Sequence, residues 1–134
     1  MNLLPVTLKE IKQEEMLYLL ECTLKAYPLS ILTLEAPPNL QPNQHLMVTI
    51  HPHHVEIFKG ECPNFGHCNQ LPATVQSIKK GKLLSQIKLQ TLAINIDSLI
   101  TTTACDRMNL SLQDQVTLSI NPTLINLVEE KISC

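Results

Sequence analysis

The sequence predicts a mainly β chain made of two small, closed or partly closed barrels in tandem, with one short helix in the second. Three observations carry that expectation. The first is an internal repeat: "NLLPVTLKEIKQEEMLYLLEC" from Asn2 is answered by "NQLPATVQSIKKGKLLSQIKL" from Asn69, which aligns Asn2 with Asn69, Leu4 with Leu71, Pro5 with Pro72, Thr7 with Thr74 and Ile11 with Ile78 at an offset of 67. The alignment then slips by three residues and resumes at an offset of 70, pairing Asn39 with Asn109, Ile50 with Ile120 and Pro52 with Pro122. The second is a hydrophobic period of two within each copy, the mark of half-buried strands. The third is the joint "KGECPNFGHC", where Gly60, Pro63 and Gly66 punctuate the chain as a linker does. Together they divide the chain into a first unit over residues 1–60, a linker over 61–68 and a second unit over 69–134.

In chain order, Leu4, Val6 and Leu8 alternate with Pro5, Thr7 and Lys9, and Leu71, Ala73 and Val75 do the same in the second copy. Leu46, Val48 and Ile50 define a later strand, matched by Val116, Leu118 and Ile120. Thr91 to Ile100 reads as further strand. "TTTACDRMNL" reads as a short helix, because Thr101 or Thr102 can cap its N-terminus and Asn109 tolerates the left-handed turn that ends it. In the first copy "LEAPPNL" takes that place, and Pro37 with Pro38 forbids a normal helical turn. A unit of about sixty residues buries too little surface to be robust alone, so the two copies are expected to share one core.

The bulk numbers exclude several functions. With 134 residues, 44% hydrophobic content and a net charge of -2, the chain can bury a core but has no positive field for nucleic acid or an anionic membrane. Aromatics are 3% and Trp is absent, so base-stacking platforms are hard to build. No apolar run approaches the roughly 18 residues of a membrane span, and the N-terminal stretch turns acidic before a signal-peptide core could form. A cytoplasmic protein without membrane insertion is expected. The five cysteines, Cys22, Cys62, Cys68, Cys105 and Cys134, are odd in number and scattered, as reduced thiols are, with Cys22 and Cys105 read as small buried hydrophobes.

The second copy, "NQLPATVQSIKKGKLLSQIKL" followed by "LITTTACDRMNLSLQDQVTLSINPTLINL", resembles the Mop or TOBE (molybdenum-pterin-binding, transport-associated OB) domain family. The resemblance covers Asn69 to Val128 well and Asn2 to Phe58 less well, so the chain is similar to a tandem, di-Mop arrangement of OB-like barrels. It implies binding of molybdate or tungstate, with no organic cofactor, in intracellular molybdenum homeostasis, transport-associated sensing or storage. It also implies a homo-oligomer, a dimer or trimer, and molybdate transporter or regulator subunits as partners. The residues carried over as oxyanion-binding candidates are Cys68, Asn69, Gln70, Thr101, Thr103, Ala104, Asn121 and Thr123. Several depart from the family's pattern. Cys68 stands where the resemblance expects arginine, Ala104 where it expects serine and Asn121 where it expects lysine, while the first copy has "IHPHH" at the lysine strand.

An oxyanion needs preorganised N–H and O–H donors, and backbone groups can supply several without a basic side chain. The alternative is a structural or regulatory oligomerisation module that has kept the barrel and lost the ligand, with Asn69 and Thr101 serving only as turn caps. A lesser alternative is a transition-metal site. All five histidines share one window with Cys62 and Cys68, and His51, His53, Cys62, His67 and Cys68 are its candidate ligands. Cys62 and Cys68 are spaced too widely for a common zinc knuckle, so no structural metal is expected and the histidines read as a solvated strand end. Nor is an enzyme expected: His67 and Cys68 are sequence neighbours, and neighbours on a strand point apart.

Overall fold

The computed structural model describes residues 1–60 and 69–128. The chain is mainly β and tandem, as the period of two requires, with two OB-like five-stranded antiparallel units and one α-helix among the described residues. The first copy contributes β1 (Asn2–Glu14), β2 (Leu17–Leu24), β3 (Tyr27–Thr33), β4 (His45–Ile50) and, after a 3-10 turn at Pro52–His54, β5 (Glu56–Lys59). The second contributes β6 (Asn69–Lys80), β7 (Leu84–Thr91), β8 (Ile94–Thr101), α1 (Thr102–Met108) and β9 (Gln115–Ile120). A 3-10 turn at Pro122–Leu124 and β10 (Asn126–Leu127) follow.

The repeat is visible in the backbone itself. β1 carries a bulge between Leu8 and Glu10, and β6 carries its equivalent between Val75 and Ser77. Bulges increase local twist and let a long strand curl around a core. The β2–β3 and β7–β8 hairpins both turn on two residues at positive φ, Lys25 with Ala26 and Leu92 with Ala93, the type I′ arrangement whose twist matches the flanking strands. The single strand expected over Thr91 to Ile100 is therefore two strands with a turn at Leu92–Ala93. Such turns ordinarily use Asn and Gly, and here neither residue announces it.

The two sheets are not confined to their own copies. One runs β10-β4-β1-β2-β3 and the other β5-β9-β6-β7-β8. Each copy thus ends by laying its last short strand on the other copy's sheet: Glu56 to Lys59 pair with Ser119 to Val116, and Asn126 and Leu127 pair with Thr49 and Val48. The alternating residues of both sheets meet in one cluster that includes Leu4, Leu8, Leu20, Ile31, Leu71, Ile87, Leu89 and Leu118, all essentially fully buried. Cys22 and Cys105 are free and buried there, as expected. Burial, with Glu21 beside it, pushes the Cys22 thiol up to about 11, so it stays neutral and unreactive at ordinary pH. No helix among the described residues is long and apolar enough to cross a membrane.

Candidate functional site

Asn69, one of the residues expected to bind the oxyanion, is occupied. It sits at the start of β6, almost fully buried, where its Oδ1 accepts from the Ser30 backbone N–H at 2.8 Å and its Nδ2 donates to the Ser30 carbonyl at 2.9 Å. Asn2 does the same to Asp97, with both bonds at 2.8 Å. Ser30 lies on β3 and Asp97 on β8, the outer strands of the two sheets. A carboxamide presents one donor and one acceptor with the spacing of a peptide group, so each asparagine satisfies and blocks an exposed strand edge of the other copy. The repeat keeps asparagine at these two positions for a structural reason. Gln70 follows on β6, half-buried and paired with Ser119.

The helix candidates do come together. The β8–α1 corner is shaped by Thr101, whose hydroxyl oxygen accepts from the Ala104 N–H at 3.1 Å, and by Asn109, which closes the helix in the left-handed region at φ 50 and ψ 48. Capping of this kind holds a helix too short to persist alone. Lys59 on the exchanged β5 reinforces the far end, donating to the Asn109 carbonyl at 2.7 Å and pairing with Asp114 at 3.3 Å. The Ser111 backbone N–H and then Lys59 hold the Asp114 carboxyl below its usual range.

Beside this corner lies an open cavity of about 450 Å³. Thr101, Thr103, Ala104 and Arg107 line it from the second copy, His53 and Glu56 from the first, and Ile57, Phe58 and Ile100 supply apolar wall. Thr101's hydroxyl, accepting from Ala104, keeps its own proton to donate outward. Arg107 is the sole arginine of the chain, and no ion pair ties it to another described residue. Neither Arg107 nor His53 stood among the sequence-derived oxyanion ligands. The available signal was the uniqueness of the arginine and its place in the last turn of the helix.

Asn121 and Thr123 lie elsewhere. Asn121 Oδ1 accepts from both the N–H and the hydroxyl of Thr123, at 3.0 Å each, and starts the second 3-10 turn. Thr123 lines a cavity of similar size with Thr33, Leu34, Glu35 and Asn126. This is the repeat counterpart of the first cavity: at the offsets of 67 and 70, Thr123 corresponds to His53, Asn126 to Glu56 and Leu34 to Thr101. The candidate set is therefore split across two related cavities. Cys68, with Cys62 and His67, lies outside the described residues.

The histidines form a packed trio at the first 3-10 turn. The His51 and His53 rings are 5.1 Å apart between centroids, His53 and His54 4.1 Å, and His51 and His54 5.6 Å. His54 Nδ1 is buried without a hydrogen-bond partner among the described residues. Burial, and then the neighbouring His53 and His51, hold His54 below the ordinary histidine range. Among the described residues no group of three or more His, Cys, Asp or Glu is placed to hold a metal ion.

No family model matches the chain, and no curated protein matches it. Among solved structures it is similar to ModG, described as a cytoplasmic molybdate-binding protein and crystallised with molybdate bound. The TM-score is 0.87, with 17% sequence identity, and 94% of each chain is covered. At that identity the likeness establishes a shared fold.

Proposed function

We propose that this protein is an oxyanion-binding module for molybdate or tungstate, acting inside the cell in molybdenum homeostasis, transport-associated sensing or storage. The observation that carries the reading is the cavity at the β8–α1 corner, where the chain's sole arginine stands beside two threonine hydroxyls. The likeness to a molybdate-binding protein over nearly the whole of both chains supports it. Arginine presents N–H donors in a planar fork suited to oxyanions, and a charge-assisted hydrogen bond contributes roughly 1.5 to 3 kcal/mol. Arg107 thus stands in for the basic donors absent at Cys68 and Asn121. The test is thermal unfolding with added molybdate or tungstate: a ligand at a hundredfold excess over Kd stabilises by about 2.7 kcal/mol. The gain is expected in the native protein and is expected to shrink in Arg107→Gln.

The second reading is a structural module that has lost its ligand, and the commitment of Asn69 to the Ser30 backbone favours it. It predicts no stabilisation by either oxyanion. Both readings include a homo-oligomer, a dimer or trimer. Met16 and its repeat counterpart Leu83 are each about three-quarters exposed at a hairpin tip, and Leu34 is two-thirds exposed; association would cover these side chains. Light scattering at tens of micromolar is expected to give more than the monomer mass, and a clean monomer counts against both.

A further inference from the structure

We infer that the oxyanion site is single and acid-favoured: the cavity at the β8–α1 corner takes one anion per chain, with His53 as the titratable group that sets its charge, while the counterpart cavity around Thr123 takes none. This rests on the function proposed above and adds its stoichiometry and its control. The argument begins with the charges. Among the described residues the first cavity is lined by one permanent cation, Arg107, and one carboxylate, Glu56, which offset each other. The imidazole of His53 is the remaining titratable group among the described residues of its wall, so its protonation decides whether a dianion meets a neutral or a positive cavity. Imidazole is the side chain that ordinarily changes charge within the physiological range.

The elements packed around His53 leave that role to it. On β8, which packs against the first 3-10 turn, Asp97 is the sole titratable residue, and it is not among the residues lining the cavity. On α1, Asp106 is already paired with Lys80 at 2.7 Å. Within the turn, His51 and His54 lie beside His53, and burial, then His53 and His51, hold His54 below the ordinary histidine range. Bringing an anion into the cavity therefore favours proton uptake at its exposed wall.

The counterpart cavity is negative where the first is balanced. Where the first has His53, it has Thr123, whose hydroxyl is already given to Asn121. Where the first has Thr101 and the helix, it has Leu34 and Glu35. Among the described residues no Lys, Arg or His lines it, and Glu15 joins Glu35 on the adjoining cleft. Among the described residues a dianion entering there meets the Glu35 carboxylate and no cation, in a chain that is net negative.

The test is titration calorimetry of the full-length protein with molybdate at about pH 8 and about pH 6, a range bracketing imidazole protonation. Expected are one molybdate per chain and, at the lower pH, binding up to about tenfold tighter per unit of pH, since uptake is coupled to one proton. His53→Gln is expected to remove the pH dependence. Glu56→Gln is expected to tighten binding at the higher pH by several-fold, a gain that a misfolded variant cannot give. Two anions per chain, pH-independent binding by the native protein, or an intact pH dependence in His53→Gln overturns this inference while leaving the oxyanion function standing. No binding at either pH overturns the function, and the inference with it.

Discussion

The two copies share a backbone and differ in what they do with it. The bulges at Leu8 and Val75, the hairpin turns at Lys25–Ala26 and Leu92–Ala93, and the asparagine braces at Asn2 and Asn69 recur nearly residue for residue. They part after β3 and β8. The first copy runs through Leu34 and the Pro37–Pro38 pair without a helix, whereas the second inserts three residues and forms α1, capped by Thr101. The difference teaches that the devices closing the barrels tolerate little change, because each fixes strand curvature, register or the pairing of an edge, while the corner segment is free to diverge. Chemistry has collected at that corner: an arginine and two threonines on one side of the repeat, a glutamate and a leucine on the other.

The most drastic way to break the comparison is to separate its halves. Cutting the chain between Gly60 and Asn64 removes β5 from β9 in one fragment and β10 from β4 in the other, so each isolated half is expected to lack a cooperative melt by circular dichroism. Mixing the halves is expected to restore one. Sharp independent melting of both would show that the exchanged strands are dispensable.

Next in size are the braces. Asn2→Ala and Asn69→Ala each strand one N–H and one C=O of an outer strand, at a cost of about 2 to 4 kcal/mol each in urea unfolding. Near-equal losses are expected, since the two geometries match to a tenth of an ångström. A stability effect at Asn2 alone, with Asn69→Ala weakening only molybdate binding, would instead make Asn69 a ligand.

The corner itself is tested by its unequal counterparts. Thr101→Ala removes the cap of α1 and is expected to cost about 1 kcal/mol. Leu34→Ala, at the matching position of the helix-free copy and two-thirds exposed, is expected to stay within about 0.5 kcal/mol of the native protein. The same denaturant titrations measure both.

The smallest effect is the pH dependence that the histidine turn of the first copy carries. His54 is held below its ordinary range in the folded state, so between the folded and unfolded values the unfolded chain binds more protons. Stability is therefore complete above about pH 6.5, the unfolded value, and declines as the pH falls below it. In His54→Leu, at the residue type its repeat counterpart Leu124 already carries, unfolding between about pH 7 and about pH 5 is expected to show a shallower decline.

Sequence alone determined what neighbouring residues decide among themselves. The period of two in β1, β4, β6 and β9, the capped helix ending in a left-handed Asn109, and the proline pair that forbids a helix in the first copy are all local preferences, legible along a few residues. The repeat offsets carried that reading from one copy to the other. Tertiary structure decided what depends on groups far apart in the chain. The four residues of β5 and the two of β10 are too short for a periodic signal, and only a partner strand's unpaired backbone selects their place. Asn69 looked like a ligand by resemblance, because nothing beside it in sequence reveals that Ser30's N–H and C=O will meet its carboxamide. Arg107 and His53 stand far apart in sequence and share a cavity only because the exchanged β5 brings the histidine turn of one copy against the helix of the other.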